Sequence, residues 1–181
     1  MPQSLKFISF TETRLLREEE ELIIRMPLFG RKKPVFQKLI EDLEDKEEEK
    51  QLRAARALSE VGEPAIPVLI ETLGDAKKEA WAAVALKDMV KHSYATPMAV
   101  IPYLIKALGD KNKQAMAAAL LKSSEFSRTA IEPLVASYLA SSDENKKMYV
   151  YLTLKGISED DFFQDQSTRQ AASNALKQIK V

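Results

Sequence analysis

Apolar residues recur at three- and four-residue spacing along most of the chain, which is the period of an amphipathic helix. The stretches come in pairs. The first has a Leu next to an Ile or Val, a short polar turn follows, and the second is rich in Ala. Alternation of apolar and polar residues, which is typical of strands, is confined to residues 5–10. We therefore predict an all-α fold built from helix pairs, with at most a short strand or extended arm at that segment.

The helix pairs repeat along the sequence. The first Leu of each pair is Leu39, Leu69, Leu104 or Leu134, at intervals of 30, 35 and 30 residues. Such periods indicate stacked repeats, and extra residues at 91–97 explain the longer interval. The predicted units lie near 34–62, 64–92, 97–126 and 129–157, with a degenerate fifth unit at 159–181.

Turn residues agree with these units. Gly74-Asp75 and Gly109-Asp110 each join a residue that ends helices to one that begins them. Asp45 and Asp143 occupy the same position in the first and fourth units. We therefore predict that an Asp caps the second helix of each pair.

Residues 1–33 differ from the repeats and are predicted to form an N-terminal extension. The pattern over residues 11–25 predicts a helix with Leu and Ile on one side and Glu18–Glu21 on the other. Stacked repeats need terminal caps with a polar outer side. We predict that this helix docks on the first repeat as a cap. The alternatives are that it lies free, or that it joins two copies into a homo-oligomer.

Composition limits the chemistry. The 181 residues include no Cys, one His, and equal numbers of basic and acidic residues, 27 each. These counts exclude disulfides, thiolate metal sites and multi-His sites within one chain, and no phosphate-binding loop or nucleophile motif is present. We expect no catalytic residues, no metal and no cofactor. A formal charge of zero does not favour a nucleic-acid binder. No apolar run approaches the ~20 residues of a membrane span and no secretory signal is visible, so the prediction is a cytoplasmic protein without a membrane partner.

One stretch resembles a known family. Ala-Ala-Arg-Ala-Leu at 54–58, followed by Val-Gly-Glu-Pro-Ala at 61–65, is similar to the HEAT-like repeat of the bilin (phycobilisome) lyase type. The resemblance covers about residues 34–180. It implies an α-α superhelix, a solenoid of stacked helix pairs, whose members mostly bind other proteins.

The family also places an Arg seven residues before the core Leu of each second helix, where it pairs with turn aspartates. The core leucines here are Leu58, Leu86, Leu121, Leu154 and Leu176. Only the last of them has an Arg at that position, Arg169. The resemblance therefore implies that the Asp–Arg ladder is mostly absent and that packing alone orders the stack.

The second helices carry the candidate binding residues. Large side chains stand five residues before the first four core leucines, where the family often has Ala, and Tyr151 lies nearby. Trp, Tyr, Met and Arg are enriched at interface centres. The predicted partner-binding residues are Arg53, Trp81, Met116, Tyr149 and Tyr151. The alternative is that these side chains fill gaps between repeats.

A second row consists of lysines eight residues before the same leucines. Its members are Lys50, Lys78, Lys113 and Lys146. Such a row would lie along one edge of the stack, where it could meet an acidic partner or phosphates. The alternative, which we favour, is a solvated edge that prevents aggregation.

These features favour a non-enzymatic scaffold or adaptor that binds another protein on the surface lined by the second helices. Two alternatives stay open. The resemblance allows an accessory lyase-like or regulatory subunit of a larger enzyme complex. The lysine row allows a weak nucleic-acid binder, which the charge balance does not favour.

Overall fold

The computed structural model describes residues 29–161 and 164–179. The chain divides into two compact units, Met1–Gln37 and Lys38–Val181. The helix predicted for residues 11–25 and the extended segment at 5–10 lie outside the described residues. The docking and self-association predicted for that helix therefore stay predictions.

The described residues form nine α-helices and contain no strand, which confirms the all-α prediction for this part of the chain. A 3₁₀ turn at Glu63–Ala65 leads into the third helix. The helices are α1 Phe29–Asp42, α2 Glu48–Val61, α3 Ile66–Thr72, α4 Glu79–Lys91, α5 Pro97–Ala107, α6 Gln114–Lys122, α7 Ser127–Ala140, α8 Glu144–Glu159 and α9 Gln166–Ile179.

Within Lys38–Val181 the helices pack in two layers. The first helices α3, α5 and α7 contact one another in chain order, and the second helices α2, α4, α6 and α8 do the same. Each of α3, α5 and α7 also contacts its own second helix, and α9 contacts both α7 and α8. Each helix pair therefore packs on the preceding pair, as the repeat period predicts.

The core lies between the two layers. The leucines that define the period in the first helices, Leu69, Leu104 and Leu134, are fully buried. The second helices contribute their core leucines and the residue four positions earlier, and all eight side chains are buried. They are Leu58, Leu86, Leu121 and Leu154 with Ala54, Ala82, Ala117 and Val150. Each buried Leu contributes about 2 kcal/mol, and the small Ala side chains let the layers approach closely.

Two helices begin earlier than the sequence pattern predicts. α1 begins at Phe29, so the predicted boundary at Pro34 falls inside a helix. α7 begins at Ser127 rather than near Thr129, which places Pro133 in the helix interior. The early start of α7 has a physical reason, because the turn before it continues into the helix: the N–H groups of Phe126 and Ser127 both donate to the Ser123 carbonyl oxygen, at 3.1 and 2.9 Å.

The turn aspartates cap as predicted at one position and differ at the three others. Asp143 is the N-cap of α8, and its Oδ1 accepts the backbone N–H groups of Asn145 and Lys146 at 2.9 and 3.2 Å. Asp45, Asp75 and Asp110 instead cap a tight turn that precedes the helix. Their Oδ1 atoms accept the N–H two residues later at 2.9, 3.0 and 2.9 Å. The N-cap prediction is therefore wrong at these three positions, because extra turn residues separate the Asp from the helix.

Gly62 connects the first two pairs through a conformation that other residues rarely adopt. Its φ is 75°, and a Cβ atom at this position would lie 2.7 Å from the Tyr94 carbonyl oxygen. Two features therefore require glycine at this position of the Val-Gly-Glu-Pro-Ala stretch. One is the positive φ angle, and the other is the close approach of the loop after α4.

Candidate interaction surface

The residues predicted to bind a partner lie on the second helices, but most are only partly accessible. Arg53 is exposed on α2, where its guanidinium lies 3.7 Å from Glu49. The other four predicted residues are half-buried: Trp81, Met116, Tyr149 and Tyr151. These four side chains therefore pack partly against the rest of the protein and are partly accessible to solvent.

Tyr149 joins two second helices. Its hydroxyl accepts a 2.8 Å hydrogen bond from Gln114 Nε2, which begins α6. Asn145 Nδ2 donates to the Oε1 atom of the same Gln114 at 3.1 Å. These bonds hold α6 against α8, so the Tyr149 hydroxyl already has a partner within the chain.

The accessible surface of the second helices comes from neighbouring positions, six and two residues before each core Leu. In the second to fourth pairs all six of these residues are apolar. They form what we call the second-helix face: Ala80, Val84, Ala115, Ala119, Met148 and Leu152. Val84 is half-buried and the other five are exposed, with Met148 and Leu152 each 48% exposed. In the first pair, Leu52 and Arg56 occupy these positions.

The residues predicted to bind a partner are not the most exposed positions of the second helices. They stand out by side-chain size, whereas exposure follows rotation about the helix axis, at about 100° per residue. Leu154 and Val150 mark the buried side of α8. The positions opposite that side are Leu152 and Met148, which the prediction missed. The buried pair four residues apart is the signal that could have found them.

Three lysines of the row form ion pairs within their own turns. The pairs are Lys50 with Glu47 at 3.1 Å and Asp45 at 3.5 Å, Lys78 with Asp75 at 2.9 Å, and Lys113 with Asp110 at 3.2 Å. The hydrogen bond from Lys78 lowers the pKa of Asp75 below its ordinary value. These ammonium groups are therefore already neutralised by carboxylates of the chain.

Two of these lysines also interact with a carboxylate of the preceding helix pair. Lys78 Nζ lies 3.6 Å from Glu44, and Lys113 Nζ donates a 2.6 Å hydrogen bond to Glu71. The bond to Glu71 is the main reason that the pKa of Lys113 is raised. Packing is therefore not the only contact between successive pairs, because these two interactions form a Lys–carboxylate ladder across the first three pairs.

Lys146 differs from the rest of the row. It is half-buried and forms no ion pair with any described residue. Asp143, the carboxylate in its own turn, caps α8 through its Oδ1 atom.

The residues that the structure describes contain no group of three or more His, Asp or Glu side chains arranged to hold a metal ion. His92 is the C-cap residue of α4, and its Nδ1 lies 3.0 Å from the Asp88 carbonyl oxygen. In this part of the chain no helix combines the length and apolar character needed to cross a bilayer.

No protein-family model matches the chain, and no curated protein matches it significantly.

Proposed function

We propose that the chain is a HEAT-like solenoid that acts as a non-enzymatic scaffold and binds a partner protein on the second-helix face. The exposure of Met148 and Leu152 carries this proposal. Each of them is 48% exposed, they lie one turn apart on α8, and the neighbouring second helix presents Ala115 and Ala119 at the equivalent positions. A contiguous apolar surface of this kind is typical of interaction sites.

The proposed solenoid gives this surface its shape. Successive second helices contact one another in order, and in a superhelical stack that layer lines the inner side. The Ala side chains of α4 and α6 form a shallow floor. Met148 and Leu152 stand higher at one end, and Trp81 and Met116 flank the floor. Such a surface suits the apolar anchors of a partner, since it excludes water around them.

The lysine row supports protein binding better than nucleic-acid binding. Three of its four ammonium groups already pair with carboxylates, so few are free to replace the counterions of a phosphate backbone. An accessory subunit of an enzyme complex would use the same second-helix face toward its enzyme. This alternative differs from the scaffold only in the identity of the partner.

Site-specific photocrosslinking in the native cell tests the proposal. A benzophenone amino acid replaces Leu152 in one variant and Leu139 in the other. Leu139 is 67% exposed on α7, in the other layer, and serves as the matched control. We expect a discrete heterologous adduct from position 152 and none of the same mass from position 139. The same adducts from both positions, or an adduct from position 139 alone, would contradict the proposal.

A further inference from the structure

A groove of about 1040 Å³ runs between α7 and α9. Its lining residues belong to these two helices and to the start of α5, so it opens on the layer of first helices. On α7 they extend from Arg128 to Leu139, about 17 Å along the helix axis. On α9 they follow a spacing of three and four residues, which places them on one face: Ala171, Asn174, Ala175 and Gln178. The groove is therefore elongated, about three helical turns in length, with a helix on either side.

The lining of the groove is mainly apolar, since eight of its thirteen residues are apolar. Met98 and Leu139 are 54% and 67% exposed. Ala171 is exposed as well, and its small side chain leaves room for another helix to approach closely. Arg128 and Glu132 also line the groove, and their charges are opposite, so charge does not select what binds there. An occupant must instead present an apolar face.

The groove lies where the repeat order lacks a first helix. In the preceding units each first helix contacts the first helix before it and its own second helix, as α5 contacts α3 and α6. In the fifth unit α9 carries the Ala-rich pattern of a second helix, and only residues 160–165 separate it from α8. Six residues are too few for a first helix. Such a helix would contact α7 and α9, and these are the two helices that form the groove.

A segment of this chain has the pattern that the position requires. Residues 11–25 are predicted to form an amphipathic helix, which would be about 22 Å long and would cover the groove. Its apolar residues recur at a spacing of seven, which places them on one side: Leu15, Leu16, Leu22 and Ile23. The segment precedes α1 in the chain, whereas the groove lies beside α9, the last helix of the repeat order. We therefore assign the segment to a second copy.

We propose that residues 11–25 of one copy bind in the groove between α7 and α9 of a second copy, in the position of the first helix that the fifth unit lacks. The order of the first-helix layer, the length of the groove and its apolar lining together select this occupant. The contact joins different surfaces of the two copies, so it is heterologous. The groove lies in the other layer from the second-helix face. The proposal therefore does not depend on partner binding at that face, and either can fail alone.

Sedimentation equilibrium of the full chain measures the association of copies. Ala171→Glu should raise the dissociation constant about tenfold or more, because it places a charged side chain in the groove. Leu22→Glu changes the segment instead and should weaken association by a similar factor. Ala76→Glu is the matched control: Ala76 is exposed in the turn before α4, so the constant should stay within about twofold. A full chain that is monomeric at every concentration, or equal losses in Ala171→Glu and Ala76→Glu, would overturn the proposal.

A disulfide experiment locates the contact, since the chain has no cysteine of its own. Ala171→Cys and Leu22→Cys are introduced into two separately tagged chains, which are mixed and oxidised. We expect a mixed disulfide between the unlike chains, because docking brings the two side chains together. Equal yields when Ala76→Cys replaces Ala171→Cys would overturn the site. A disulfide that forms only when both cysteines are in one chain would overturn the second copy as the source of the segment.

Discussion

Lys113 and Glu71 lie 42 residues apart in the sequence, yet their Nζ and Oε2 atoms are 2.6 Å apart. The pair joins the third helix pair to the second. This ion pair is a direct side-chain contact between the two pairs, in addition to the packing of their helices.

A double-mutant cycle with Lys113→Met and Glu71→Gln measures this bond. Glu71 is 74% exposed, so solvent screens the pair and we expect a coupling free energy of about 0.2–1 kcal/mol. Raising the salt concentration to about 1 M should reduce the coupling, because the Debye length falls to about 3 Å. Urea unfolding of the four proteins gives the value. A coupling that is zero at low salt would contradict the ladder.

Acid should weaken the turns through their aspartates. The pKa of Asp75 lies below its ordinary value of 3.8, chiefly because Lys78 donates a hydrogen bond to the carboxylate. The unfolded chain then takes up this proton at higher pH than the folded chain. The stabilisation by Asp75 is therefore complete above about pH 5 and is lost as the pH falls through the folded-state pKa.

Asp75→Asn isolates this effect, because the amide oxygen can still accept the Lys77 N–H. We expect the variant to be less stable than the original protein at neutral pH. Between about pH 5 and pH 3, the urea concentration at its unfolding midpoint should decrease less than that of the original protein. If the urea midpoints of the two proteins decrease by the same amount over this pH range, the Asp75 carboxylate has no such role.

Gly62→Ala should destabilise the chain by about 2–3 kcal/mol. The native φ of 75° is strained for alanine, and its Cβ would meet the Tyr94 carbonyl oxygen at 2.7 Å. Gly109→Ala is the control, since its Cβ would meet no atom closer than 3.5 Å. It should change the unfolding free energy by no more than about 0.5 kcal/mol. Equal thermal midpoints for the two variants would contradict the account of the loop after α4.

Trp81 reports on its own environment, because it is the only tryptophan in the chain. Since the side chain is half-buried, we expect Trp81→Ala to cost about 2 kcal/mol, less than the ~3–5 kcal/mol of a fully buried aromatic residue. Its fluorescence should be quenched in part by iodide. Complete protection from iodide with a cost above about 4 kcal/mol would place it in the core alone.

The local pattern was enough to predict the helices and the core. Leu69, Leu104 and Leu134 repeat in the sequence because each fills the same buried position. The Ala-rich second stretches follow from the close approach of the two layers. These features depend on residues within one helix pair, so a single sequence reveals them.

The surface could not be predicted to the same depth. The most exposed residues of α8, Met148 and Leu152, required the rotational phase of the helix and not only its residue types. Lys113 and Lys146 look equivalent in the sequence. Lys113 bonds to Glu71, which lies 42 residues upstream, whereas Lys146 forms no ion pair with a described residue. Only the packing of one pair on another brings Glu71 within reach of Lys113.

Binding through the second-helix face is the central claim, and paired charge substitutions test it most directly. Leu152→Glu places a carboxylate on that face, and Leu139→Glu places one on the other layer at an even more exposed site. Both variants should fold with nearly unchanged thermal midpoints, and the affinity for the partner captured at position 152 is then measured by calorimetry. The account predicts a loss of tenfold or more, about 1.4 kcal/mol, for Leu152→Glu alone. Undiminished binding by Leu152→Glu, or an equal loss in both variants, would contradict it.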